Sequence, residues 1–136
     1  MRQRFLALLP IFFLLIVTAT AQTPFQKAAK DLKPDKKYDN VLVQRLFSDG
    51  HASGFVIWIK QSVPLHMHAS HSETVVILAG SATMTLGNET LKVKKGDIFF
   101  IPQGMPHSVT VQRGVLKVMS LQAPEFDGTD RVPIQP

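Results

Sequence analysis

Cysteine is absent from this 136-residue chain, and the absence removes three kinds of explanation together. No disulfide can staple the fold, no thiol can act as a nucleophile, and no zinc site can be built from thiolates. The sequence also lacks a Ser/His/Asp arrangement, a glycine-rich phosphate cradle, an internal repeat and a low-complexity tract. It has no hydrophobic run long enough to span a bilayer comfortably: the uncharged stretch at residues 5–21 falls short of the roughly 20 apolar residues that a spanning helix needs. Nor is there a large excess of one charge. The formal balance is +5, but Arg2 and Arg4 lie in the first few residues, and without them 13 basic (15 − 2) against 10 acidic groups leave +3. Lys36-Lys37 and Lys92, Lys94 and Lys95 read as solvated faces, and no nucleic-acid-binding motif accompanies them, so nucleic acid is excluded as a partner.

What is present begins with a secretory pattern. Two arginines precede an apolar run broken only by Pro10, and Ala19-Thr20-Ala21 supplies small residues for cleavage. Residues 1–21 are therefore expected to be a signal peptide cleaved near Ala21, with the mature chain exported to a periplasm or secreted and no stable membrane anchor retained. The remaining 115 residues (136 − 21) suffice for one core and one domain.

Residues 22–40 are polar, with Pro24 and Pro34 as breakers, and read as an N-terminal arm containing a short helical turn within residues 25–32. From Val41 the pattern changes to short runs rich in β-branched and aromatic residues, separated by Gly, Pro, Asn and Asp. Strands are predicted at residues 41–47, 54–59, 74–78, 82–86, 90–93, 98–101, 108–111 and 115–121, an all-β sandwich or barrel over residues 41–123. Gly87-Asn88 supplies a two-residue hairpin turn after the alternating stretch 81–86. Residues 124–136, with three prolines, read as an extended C-terminal tail. The runs at 55–59 and 98–101 are apolar at every position, so both faces of those strands should be covered by another sheet or another subunit. With an arm long enough to cross a subunit boundary, this predicts a homodimer.

The chemistry is concentrated in residues 64–73, PLHMHASHSE, which hold three of the chain's five histidines and a glutamate. On an extended segment His66 and His68 share one face, because side chains alternate with a period of two. On a helix they would diverge by roughly 200°, so a strand-built site is favoured. The loop at residues 69–72 allows the chain to return Glu73 to the same point. Two imidazoles and a carboxylate suit a divalent first-row transition metal, and His107, behind a buried strand and a Pro/Gly turn, is the fourth candidate. His71 reads as an exposed loop residue, and His51 as a hairpin-loop residue without chemistry. Phe55, Trp58, Met67, Met84, Phe99, Phe100 and Met119 are candidates for an apolar pocket wall. Gln44, Gln61, Ser70, Thr83 and Gln112 are the polar candidates, and no second catalytic acid is evident.

In this arrangement the chain resembles a small single-domain cupin. His66-Met67-His68, four residues, Glu73, six residues and Gly80 match the first motif of that family. Gly96, five residues, Pro102-Gln103-Gly104, two residues and His107 match the second. The leading glycine of the first motif falls at Lys60 and the closing asparagine of the second at Val111, departures that concern loop geometry and not the ligands. The resemblance implies a conical β-barrel of the double-stranded β-helix or jelly-roll type. Within it, His66, His68, Glu73 and His107 would hold one divalent metal per subunit: iron, manganese, nickel, zinc or copper. Open positions on such a metal would suit an enzyme of dioxygenase, lyase or isomerase type acting on a small oxygen-bearing molecule. The alternative is a non-catalytic cupin that uses the metal to hold its small-molecule ligand.

Overall fold

Strand boundaries follow the predicted runs closely in a computed structural model that describes residues 24–135. The expected signal peptide at residues 1–21 lies outside the described residues. In chain order the strands are β1 (Val41–Ser48), β2 (Ser53–Ile59), β3 (Ser62–His68), β4 (Ser72–Ala79), β5 (Ser81–Leu86), β6 (Glu89–Lys94), β7 (Ile98–Ile101), β8 (His107–Thr110), β9 (Leu116–Ala123) and β10 (Arg131–Pro133). They form two five-stranded antiparallel sheets, in the orders β1-β2-β9-β4-β7 and β10-β3-β8-β5-β6.

Period-two alternation decides which face each sheet turns inward. In β4, Glu73, Val75 and Ile77 are buried while Ser72, Thr74 and Val76 are less so. In β5, Ala82 and Met84 point to the core, as their alternation predicts, and Gly87-Asn88 closes the hairpin onto β6 in the register Leu86↔Glu89. The core between the sheets contains Ile59, Val75, Ile77, Met84, Val93, Ile101, Leu116 and Val118. Each such side chain contributes about 1.5–3 kcal/mol by leaving water.

The outer face of the first sheet acquires its cover from the arm. Leu42, Val56 and Trp58 pack against Leu32, Tyr38, Leu46 and Leu78. Lys117 crosses from β9 to donate to the Leu32 carbonyl at 2.7 Å. The arm's short helical turn is a 3-10 turn at Ala29–Asp31. Asn40 ends the arm by accepting from the amides of Gln61 (2.9 Å) and Ser62 (3.2 Å), which ties the start of β1 to the β2–β3 turn.

Three features go beyond the predicted runs. Within this chain the β7 run is covered on one side: Ile101 is 1 % exposed, whereas Ile98 and Phe100 are 67 % and 62 % exposed, so cover of the second side falls to another subunit in the expectation above. The reason is position, since β7 is the edge strand farthest from β1 and β2, where the arm packs. The tail contributes a strand of its own, since β10 pairs with β3 in the register Arg131↔His68 and Pro133↔His66. Finally, residues 62–68 form a full strand although Pro64 interrupts the pattern. The register with β8 shifts between Val63 and His66, so the proline sits at the irregularity, where a ladder donor is not required.

Candidate metal centre

Three strands bring the predicted residues to one end of the barrel. β3 carries His66 and His68 two positions apart on its inner face, β4 carries Glu73, and β8 opens with His107, which stands directly opposite His66. The structure thus brings together His66, His68, Glu73 and His107, all buried. Ring centroids are 4.1 Å apart for His66 and His107, and 5.4 Å apart for His68 with each of the other two. One nitrogen from each ring lies within 4.8 Å of the others, so the three buried histidines can hold a metal ion.

The hydrogen bonds around the rings favour that use. His66 Nδ1 donates to the Pro64 carbonyl at 2.8 Å and His107 Nδ1 to the Met105 carbonyl at 2.9 Å. His68 Nδ1 faces the Asp130 carboxylate at 3.1 Å. A nitrogen that donates carries the ring proton, which leaves Nε2 with its lone pair directed inward. His107 Nε2 is buried with no hydrogen-bond partner among the described residues. Such an orphaned acceptor costs desolvation unless something electropositive meets it. Glu73 Oε2 lies 3.4 Å from that atom and 3.6 Å from His68 Nε2, while its Oε1 accepts from the Ser120 hydroxyl. A nitrogen-rich donor set with one carboxylate, each outer atom already oriented, fits a divalent transition metal.

Electrostatics in the metal-free centre are uneven. Burial, then the neighbouring His107, pushes the His66 imidazole down to about 4. Burial opposes charge on His68 as well, but Glu73 and Asp130 outweigh it and raise that imidazole above its ordinary value. Burial alone would raise Glu73. The imidazoles of His107 and His68 and the Ser120 hydroxyl prevail, and hold its carboxyl well below the usual range.

His71 corrects the reading of an exposed loop residue: it is 2 % exposed. Its Nδ1 contacts Asp130 Oδ2 and its Nε2 contacts the Glu125 carbonyl at 2.7 Å. Both partners accept, so the ring carries both protons. Despite its burial, the Glu125 carbonyl and Asp130 raise its pKa. Asp130 therefore joins His71 to the back of His68. His51 is exposed, as expected, and its amide donates to Asp49 at 2.8 Å within the β1–β2 turn.

A cavity of about 190 Å³ adjoins the imidazoles. Of the predicted wall residues only Phe55 and Met84 line it. Trp58 packs beneath the arm, and Phe100 faces outward. Of the predicted polar residues none lines it; Ser108, Gln122 and Arg131 do. Asp130 and Arg131 had no stronger signal than two adjacent charges in a proline-flanked tail.

A family model described as "Cupin domain" matches residues 55–121. An uncharacterised protein of Aquifex aeolicus is 31% identical over 97 residues, which cover 71% of this chain and 80% of that protein. An uncharacterised protein of Methanocaldococcus jannaschii is 37% identical over 67 residues, 48% of this chain and 54% of that protein. Among solved structures, a Klebsiella pneumoniae protein with a double-stranded β-helix domain superposes with a TM-score of 0.68 at 16% identity, covering 85% of this chain and 100% of that one. KdgF from Halomonas sp. gives 0.67 at 15%, covering 77% and 97%. The lyase DddQ from Ruegeria pomeroyi gives 0.63 at 24%, covering 72% and 53%. At these identities the structural likeness speaks to the fold, and the matched domain model spans both histidine-bearing motifs on it: residues 55–121 form a cupin domain.

Proposed function

We propose that this protein is an exported, metal-dependent cupin enzyme, of dioxygenase, lyase or isomerase type, acting on a small oxygen-bearing molecule. The observation that carries the reading is the convergence of three imidazoles, each with its Nδ1 engaged, beside the Glu73 carboxylate at the edge of an apolar cavity. His66, His68, Glu73 and His107 would hold one divalent metal, of the set iron, manganese, nickel, zinc and copper. Such a metal supplies a Lewis acid with positions left open to a small ligand. Ser120 fixes one oxygen of Glu73 and leaves the other turned toward the rings. The surrounding Phe55, Ile57, Val75 and Met84 exclude bulk water and favour a ligand with an apolar body. The Ruegeria protein is a DMSP lyase; at 24% identity that activity supports no choice among the three reaction types.

A non-catalytic cupin that holds its ligand through the metal is the second reading, since the same fold serves many functions. Export rests on the charge and hydropathy pattern of residues 1–21. We also propose a homodimer formed with a second copy through the uncovered outer face of β7. Ile98 there lies beside Val76 and Met119 across the sheet, and Phe100 lies beside Thr74 and Leu121, so the two exposed side chains continue a largely apolar face.

Elemental analysis of protein purified from its native compartment tests the metal reading. About one transition metal per subunit is expected, with substantial loss in both His66→Ala and His107→Ala; undiminished metal in both variants would overturn the assignment. Turnover of a panel of small oxygen-bearing compounds by metal-replete wild type, abolished in His66→Ala, separates the enzyme from the binding module.

A further inference from the structure

Among the described residues lining the cavity, Arg131 is the one cation. It comes from β10, where it stands opposite His68, so its side chain projects from the same face as the imidazoles. Its Nη2 lies 3.5 Å from His66 Nδ1. That nitrogen already donates its proton to Pro64, so it offers the guanidinium no lone pair. No carboxylate pairs with Arg131 within salt-bridge distance among the described residues. Its neighbour Asp130 is turned the other way, onto His68 and His71. The guanidinium is thus a planar donor array at the cavity mouth with its acceptors unassigned.

Cavity size and charge narrow what would supply those acceptors. A cavity of about 190 Å³ is somewhat larger than the roughly 150 Å³ that accommodates benzene, so a single ring or a branched chain of a few carbons fits. A divalent metal with the Glu73 carboxylate carries one net positive charge, and Arg131 adds a second. The walls are otherwise apolar, apart from Ser108 and Gln122. Charge at one end and hydrocarbon along the sides suit a compact organic anion.

We propose that Arg131 binds the carboxylate of a small 2-hydroxy or 2-oxo acid whose apolar side chain occupies the cavity and whose second oxygen faces the histidine centre. The proposal rests on the metal-dependent function above and assigns its ligand class. A guanidinium pairs with a carboxylate through two parallel hydrogen bonds, a geometry that lysine does not reproduce. Arg131 approaches the Nδ1 side of His66, whereas the inward Nε2 is on the other side of that ring. A molecule carrying oxygen on adjacent carbons has carboxylate oxygens to accept from the guanidinium and a second oxygen to face the inward nitrogens.

The test uses the full mature chain loaded with zinc as a redox-inert probe. Calorimetric titration compares mandelate and 2-hydroxyisocaproate with their uncharged methyl esters, in wild type, Arg131→Gln and Arg131→Lys, with zinc content measured in every sample. Wild type should prefer the acids over the esters by about tenfold or more. Arg131→Gln should lose that preference while retaining zinc, and Arg131→Lys should keep only part of it. Equal binding of acid and ester by zinc-loaded wild type, or an undiminished preference in Arg131→Gln, would overturn the proposal. Wild type that holds no zinc marks failure of the functional reading itself, which the metal analysis reports separately and which takes this assignment with it.

Discussion

His68 does more than its two fellow histidines, because the residue behind it is a carboxylate and not a backbone carbonyl. Asp130 accepts from His68 and is itself held by His71 and by the Ser70 amide at 3.4 Å. Partners of this kind typically contribute 10–100-fold to metal affinity. Asp130→Ala should therefore lower metal affinity by about that factor without unfolding the barrel, as a chelator competition would report; unchanged affinity would reduce Asp130 to a packing role. His71→Ala should retain the metal with a smaller loss. Affinity should also fall as pH falls, because a proton must leave His68 before the ring can ligate. His68 is raised above its ordinary 6.5, so competition begins above that pH; His66, pushed down to about 4, contributes little until far lower. The sign carries to stability. The raised His68 stabilises the metal-free fold fully below 6.5 and loses that contribution as pH rises through its folded value. The difference in Tm between metal-bound and metal-free protein should therefore widen from pH 6 to 8, which differential scanning calorimetry would measure.

At the scale of elements, legibility depended on whether a strand's signal was local. β4 and β5 alternate, and β2 is apolar from Gly54 onward, so each could be read from its own residues. The candidate ligands were legible for the same reason, since His66 and His68 carry their spacing with them. β3 was readable only as an extended carrier of histidines, because Pro64 breaks the pattern that a register shift then accommodates. β10 was not readable: its three residues are all exposed and become a strand only by pairing with β3. With β10 went Asp130 and Arg131, and with Asp130 the burial of His71. Connections between elements are more demanding than the strands. Gly80 joins β4 to β5 at φ 83°, and a Cβ there would stand 2.5 Å from the Val115 carbonyl oxygen. Gly80→Ala should cost about 2–4 kcal/mol, combining positive-φ strain with a backbone clash. Urea denaturation would measure it, and a loss under 1 kcal/mol would mean that the β9 entry yields easily.

For the whole molecule, the arm and the open stripe divide one sheet face between them. Leu42, Val56 and Trp58 lie beneath the chain's own N-terminal segment, while Ile98 and Phe100 remain in contact with solvent. Apolar side chains this large and this exposed commonly mark association. Light scattering should give a dimeric mass for the mature chain and a monomeric one for Phe100→Asp, with zinc content unchanged; a monomeric wild type at micromolar concentration would count against a second copy on this face. The two ends of the molecule also differ in when they become available. All four candidate ligands lie between residues 66 and 107, whereas Asp130 and Arg131 follow the last strand of the first sheet. During synthesis or passage through a membrane, N-terminal end first, the ligand cluster can therefore assemble before its outer carboxylate and its guanidinium arrive. On the proposed function, capture of the ion and selection of the organic ligand would then be successive acquisitions, the second waiting on a short strand that adds itself to a barrel already closed.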